Sequence, residues 1–418
     1  LVNCDASVVV GHPLLEAPLT KALESYKKTV PLLILGPSNN PRAINVMHAL
    51  QDTNIPFADP EDLSGDEIAV LPYSSGTTGP PKGVAQSHHS FAAFHEMLMH
   101  PYFFHAPTET HQDQFMGIMP FYHVYGMCVM LQGLIKGMKI VTAPKFDPNT
   151  YAKVLEDHKI EWVHLVPPLL HFLVNSPSAT AEVLRHIKLI IIAAAPVSPT
   201  LTNEFKKKLG RNILFQEAYG MTECFVTHQT PILAEKIGTA GQLLPNATCK
   251  VVDTETGETV PANKKGELLV KTPGLMQGYY NNPEATAVTI DNEGWLHTGD
   301  IGVYDDEGYF KIVDRTKELI KVKGMQVSPS EVEDVLRSHP KVVDVGVTAV
   351  DNERLGEAPH AFIVARETFT EEEIHQFLKT KLAPHKQLAG GITMVDSLPK
   401  SPTGKLLRKD LKQMAQSS

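Results

Sequence analysis

The stretch at residues 71–84, Leu-Pro-Tyr-Ser-Ser-Gly-Thr-Thr-Gly-Pro-Pro-Lys-Gly-Val, constrains this chain more than any other. An apolar run at 68–73 reads as a short strand. It delivers Ser74, Ser75, Gly76, Thr77, Thr78 and Gly79 into a tight turn followed by two prolines and Lys82. Hydroxyls and backbone N–H groups donate to phosphate oxygens, glycines permit close approach, and a lysine offsets charge, so the composition suits a polyphosphate. The Gly-x-x-x-x-Gly-Lys-Ser/Thr spacing of a Walker A loop is absent. Taken alone, the stretch also fits an ordinary Gly/Pro surface loop.

The remaining length bounds what surrounds that loop. A chain of 418 residues holds about two to four folding units with ample core. Hydrophobic content of 42% and charged content of 20% are those of a globular protein. The longest apolar run, 189–197, is far shorter than the roughly 20 residues that span a bilayer, so no transmembrane segment is expected. A net charge of −9 argues against non-specific nucleic-acid binding. Cys4, Cys128, Cys224 and Cys249 lack metal or disulfide spacing, which suits free thiols in a reducing compartment. With no secretory or transit pattern, a cytoplasmic location is expected, a peroxisomal one being the alternative although the chain does not end in Ser-Lys-Leu. The six histidines between His88 and His111 show no recognised ligand spacing, and no metal site is expected among them.

Strand and helix signals alternate through the first half. Ser87 caps a helix to about Met99. Strands are expected at 115–120, 133–142, 162–168 and 188–195, the last apolar enough to be buried on both faces. From 238 to 313 short strands and turns make a small β-rich unit. Beyond it, Ser328 starts a helix to about Ser338, strands follow at 342–350 and 361–365, and Thr370 with Glu373 forms a capping box. The expected fold is therefore α/β: a large N-terminal domain of layered sheets with a β-rich subdomain (1–316), then a mobile α+β lid (317–418).

Several motifs carry chemistry. Ala218-Tyr-Gly-Met-Thr-Glu223 ends a buried strand with an aromatic, a glycine turn, a hydroxyl and a carboxylate, fit either for a nucleotide and its metal or for a plain strand end. Asp300 closes Gly-Trp-Leu-His-Thr-Gly-Asp, where a carboxylate can accept ribose hydroxyls or simply be solvated. By composition, Lys405 in Ser-Pro-Thr-Gly-Lys is a surface lysine. These motifs, with Asp314-Arg-Thr-Lys-Glu-Leu-Ile-Lys-Val-Lys-Gly-Met-Gln-Val327, occur in the order found in the adenylate-forming superfamily of acyl-CoA synthetases, 4-coumarate–CoA ligases and beetle luciferases. The chain resembles the 4-coumarate–CoA ligase and luciferase-like branch most strongly. The segment ahead of the loop is short for that family, so part of the first subdomain is expected to be missing.

The resemblance implies an ATP-dependent acid–CoA ligase using Mg²⁺ and coenzyme A, acting on a small carboxylic acid as a monomer or homodimer. It assigns the phosphates to residues 74–79 and Lys82, with Thr78 and Glu223 serving Mg²⁺. It assigns the adenine pocket to Ala193, Ala194, Ala195, Glu217, Ala218, Tyr219, Gly220 and Met221, and the α-phosphate to Thr222. The alanines replace glycines usual in the family, and Glu217-Ala218 replaces a Gln-Gly pair. Asp300 with Arg315 would hold the ribose, and Lys405 would catalyse adenylation. Lys317, Lys321, Lys323, Gly324 and Gln326 match a second face used when CoA displaces AMP, with Lys145 meeting the CoA phosphates. His123 would lie at the carboxylate, and Tyr125 and Val226 along the acyl tail, with Val124, Met127 and Thr227. The pocket reads equally as hydroxycinnamate or medium-chain. A luciferase-like oxygenase and a non-catalytic ATP- or acyl-binding homologue are the alternatives.

Overall fold

The Leu-Ile-Ile-Ile run at Leu189–Ile192 sits at the centre of the computed structural model, every residue buried. The structure describes residues 1–51, 62–74, 81–104, 111–143, 145–234, 236–323, 325–401 and 404–417. Ser75, Gly76, Thr77, Thr78, Gly79 and Gly324 lie outside them.

A seven-stranded sheet runs in the order Gln242–Leu243, Phe225–Gln229, Leu214–Met221, Leu189–Ile192, Trp162–Leu165, Gln114–Gly117, Lys139–Thr142. The five strands from Leu214–Met221 onward are parallel, and the first two are antiparallel. β-Branched residues fill it because both faces are covered. Ile190 and Ile192 pack with Val163, Leu165, Leu170 and Phe205 on one side. Leu189 and Ile191 pack with Phe115, Val129 and Trp162 on the other.

Gly133, expected in a strand, instead belongs to the helix Val124–Ile135. A Cβ there would lie 2.3 Å from the Phe115 ring, so the glycine marks where helix meets sheet. The strand expected at 188–195 stops at Ile192, and Ala193 opens a loop. Ser87, Ser328 and Thr370 cap their helices as expected, accepting the N–H groups of Ser90, Glu331 and Glu373.

Four antiparallel strands, Thr248–Val252, Gly266–Lys271, Leu296–Tyr304 and Phe310–Arg315, form the β-rich unit. A smaller sheet joins Lys82–Ser87 to Gly278–Tyr279, Ile68–Val70 and Tyr73–Ser74, and three short parallel strands lie near the start of the chain. The last sheet has five strands between Ile320 and Met394, with its own core of Val332, Val345, Val347, Ile363 and Ile374. No helix among the described residues is long and apolar enough to cross a membrane.

Candidate functional site

The parallel strands release their C-terminal ends on one edge of the central sheet, the edge where open α/β sheets bind ligands. Leu214–Met221 carries Glu217, Ala218, Tyr219, Gly220 and Met221 there and turns through Thr222 and Glu223 into Phe225–Gln229. Gly220 permits the turn: a Cβ would fall 1.9 Å from the Phe225 carbonyl oxygen.

Asp300 reaches the same edge from the β-rich unit, its approach set by Gly299 at φ +68°. Antiparallel register places Arg315 opposite it. Arg315 Nε donates to Asp300 Oδ1 at 3.0 Å and the Tyr219 hydroxyl donates to Oδ2 at 2.7 Å. The buried carboxylate thus arrives with both oxygens already oriented. Tyr219 also sets its ring edge against His228, centroids 5.4 Å apart. Burial, then the Asp300 charge, drives the Tyr219 phenol well above its ordinary range, so it stays a donor.

Lys405 comes from the far end of the chain. The preceding Gly404 packs against Pro168 and Val166, beyond the end of the strand Trp162–Leu165. The side chain stays open to solvent within the cleft. Its ammonium is nonetheless held below the usual lysine range, first by desolvation and then by the positive charge of Arg315, while Glu318 and Asp300 act the other way. His123 caps the helix Val124–Ile135 by accepting the Tyr125 N–H at Nδ1, 3.2 Å, which assigns the ring proton to Nε2. Burial and the charge of Lys405 both lower its pKa, so the ring is neutral near pH 7. Lys405, Asp300, Arg315, His123 and Tyr219 therefore share one cleft.

In the turn after Leu214–Met221, Glu223 is buried and accepts the Tyr279 hydroxyl at 2.8 Å. The ammonium of Lys82 lies 4.2 Å over the Tyr279 ring. Ser74 Oγ is buried without a hydrogen-bond partner among the described residues. The buried Glu223 carboxylate is a hard oxygen donor of the kind that suits a divalent cation. Thr222 presents its carbonyl to Gln86 Nε2 at 3.1 Å.

Other expected residues are engaged within the fold or lie on its surface. Tyr125 donates its hydroxyl to the carbonyls of Leu165 and Ile191, tying the helix to the sheet rather than offering it to a ligand. Glu217 points beneath the edge, where its carboxylate accepts the N–H groups of Val197 and Gly238. Ala193, Ala194 and Ala195 form the loop above, with Ala194 left-handed at φ +73°. Lys317, Lys321, Lys323 and Gln326 are exposed, the last three on the hairpin Ile320–Val327, and Lys145 sits on an exposed bend. Val226 packs with Val124 and Met127 against an aromatic cluster.

Two features were not legible in the sequence. Tyr279, partner of Glu223, lies 56 residues away with no motif of its own. At the opposite edge of the sheet His111, Asp113 and Glu161 bring ligand atoms within 4.8 Å of one another, and Lys188 forms an ion pair with Glu161.

Residues 1–280 match the AMP-binding enzyme family, and residues 331–405 match the AMP-binding enzyme C-terminal domain. Probable 4-coumarate–CoA ligase 1 of Dictyostelium discoideum is 40% identical over 353 residues, covering 83% of this chain. The chain spans 63% of that relative's length. ATP-bound MatB from Rhodopseudomonas palustris superposes with a TM-score of 0.87 at 28% identity, over 99% of this chain and 80% of that one. The o-succinylbenzoate CoA synthetase of Bacillus subtilis, solved with ATP and magnesium, gives 0.75 at 29% identity, over 88% and 75%. Matches across both halves place the chain in the AMP-binding enzyme family.

Proposed function

We propose that the chain activates a carboxylic acid with ATP and passes the acyl group to coenzyme A. The observation that carries this reading is the convergence of Lys405 with Asp300, Arg315 and His123 at the C-terminal edge of the sheet. Asp300, pre-oriented by Arg315 and Tyr219, would take the ribose hydroxyls. The exposed Ala193–Ala195 loop and Tyr219 would flank the adenine.

A carboxylate oxygen of the acid attacks the α-phosphorus, and the bond to the bridging oxygen breaks, releasing pyrophosphate. Negative charge builds on the transferring group, where the Lys405 ammonium stabilises it. His123, neutral with its proton on Nε2, donates to the acid carboxylate and holds it in line. Glu223, with Ser74 and Lys82 nearby, would hold Mg²⁺, which supplies charge neutralisation on the phosphates. In the second half-reaction the CoA sulfur attacks the acyl carbon, AMP leaves, and the thiol proton passes to solvent.

Residues 317–418 would act as the lid, turning about Arg315–Lys317. That motion would exchange Lys405 for the face bearing Lys321, Lys323 and Gln326, with Lys145 reading the CoA phosphates. The test is AMP and thioester formation with ATP, Mg²⁺ and CoA across aromatic and aliphatic acids. One class of acid is expected to yield both products in equal amounts. A folded protein that binds ATP and converts no acid overturns the reading.

A further inference from the structure

Phe225 is a bulky aromatic residue held at φ +56°, a left-handed conformation that β-carbon crowding normally reserves for glycine and asparagine. Something must compensate that strain, and such outliers gather at functional sites. Here the conformation throws the ring inward. It lies only 2% exposed, stacked on Phe94 with centroids 4.7 Å apart and planes 17° from parallel, and edge-on to Phe91 at 5.7 Å. Gly274 makes room, since a Cβ there would stand 3.4 Å from the Phe225 ring and 3.3 Å from Phe94 Cβ.

The position of this stack gives it meaning. Phe225 follows Glu223 by two residues and precedes Val226. Val226, Val124 and Met127 are only partly buried and pack against the cluster that Phe225 and Phe94 build. Val124 and Met127 occupy the first turn of the helix capped by His123. From His123 to Met127 is four residues, about 6 Å of helix rise. An acyl tail entering beside His123 and running along Val124, Met127 and Val226 meets the aromatic stack after about that depth.

We infer that Phe225 closes the far end of the acid pocket and limits this chain to compact acids, with a short aliphatic tail or a single ring. The inference rests on the ligase reading above and specifies its substrate class. The residue acts by steric exclusion, so longer tails are rejected by overlap with a wall that cannot yield without moving Phe94.

The experiment compares wild type with Phe225→Ala and Phe225→Leu across straight-chain acids from butyric to palmitic. It follows thioester formation and, separately, ATP binding. In wild type kcat/KM is expected to fall about 10-fold or more beyond a short chain length, the size of discrimination an apolar pocket supplies per misfitting group. In Phe225→Ala the fall should move several carbons longer, with ATP binding unchanged, and Phe225→Leu should lie between. Identical length profiles in all three proteins, or a wild type that takes palmitic acid as readily as butyric, overturn the inference and leave the ligase reading standing. A wild type that binds ATP and converts no acid overturns both.

Discussion

The two edges of the central sheet each carry a buried glutamate, and the two are treated oppositely. At the N-terminal edge Glu161 accepts His111 Nε2 at 2.8 Å and pairs with Lys188. Burial pushes its carboxyl up, but Lys188 and His111 outweigh it and hold the group below the ordinary value of 4.5. At the C-terminal edge the partners of Glu217 among the described residues are backbone N–H groups of Val197, Gly238 and Thr239. Burial dominates there and raises its carboxyl to about 7. One edge has been closed by neutralising its charges internally. The other leaves the Glu217 carboxylate bound to backbone N–H groups and sets an exposed Lys405 near Asp300 and Arg315, and such incomplete compensation suits a binding edge.

Lys405→Ala tests the contrast most severely. ATP–pyrophosphate exchange should fall by about 100- to 1000-fold, the loss typical of removing one transition-state donor. Thioester formation from a supplied acyl-adenylate should stay within a few-fold of wild type. Equal loss of both steps would place the lysine in general scaffolding.

Next in size is the pH response of Glu217. Its folded pKa lies above the unfolded value, so the folded state binds the extra proton and stability declines as pH rises from 4.5 to about 7. Glu217→Gln should remove that component and gain about 2–3 kcal/mol over wild type at pH 8, read by urea denaturation. A variant less stable than wild type at pH 8 would show that the N–H contacts require the charge.

Glu161→Gln should behave in reverse. Its lowered pKa contributes stability above the ordinary carboxylate range, lost as pH falls through the folded value. The variant should lose about 1–2 kcal/mol near neutral pH, since Lys188 is largely solvated, while its KM for ATP stays unchanged. A several-fold rise in that KM would mean the two edges communicate.

The smallest effect belongs to Ala194. A non-glycine residue at φ +73° carries strain of about 1 kcal/mol, so Ala194→Gly should be neutral to slightly stabilising in thermal unfolding. A clear loss would mean the alanine methyl is packed.

Much of this was legible in the sequence, for reasons specific to each residue. The Leu189–Ile192 run announced a strand covered on both faces, and Ser87, Ser328 and Thr370 announced helix starts, because both signals are local. Asp300 and Arg315 were paired by resemblance alone, and antiparallel register gives the physical reason that they face each other. Gly133 misled because an apolar run that ends one element and begins another shows no periodicity to divide it. Glu217 was assigned to the adenine by resemblance, and the sequence holds no sign that its carboxylate accepts the N–H groups of Val197 and Gly238. The pairing of Glu161 with His111 and Lys188 depends on three strands meeting, which no spacing encodes. Phe225 was silent because a backbone dihedral leaves no mark in composition.

Asp314 gives the proposed lid its timing. Its Oδ2 accepts the Ser328 hydroxyl at 2.5 Å and the Ser330 N–H at 3.1 Å, and the Ser328 oxygen in turn caps the helix Pro329–Arg337. The proposed turn about Arg315–Lys317 would part the two bonds to Asp314, while the Ser328 cap travels with its helix. The pivot would then behave as a detent rather than a free joint: the two bonds to Asp314 favour the orientation that presents Lys405, and any exchange of faces would begin with their loss.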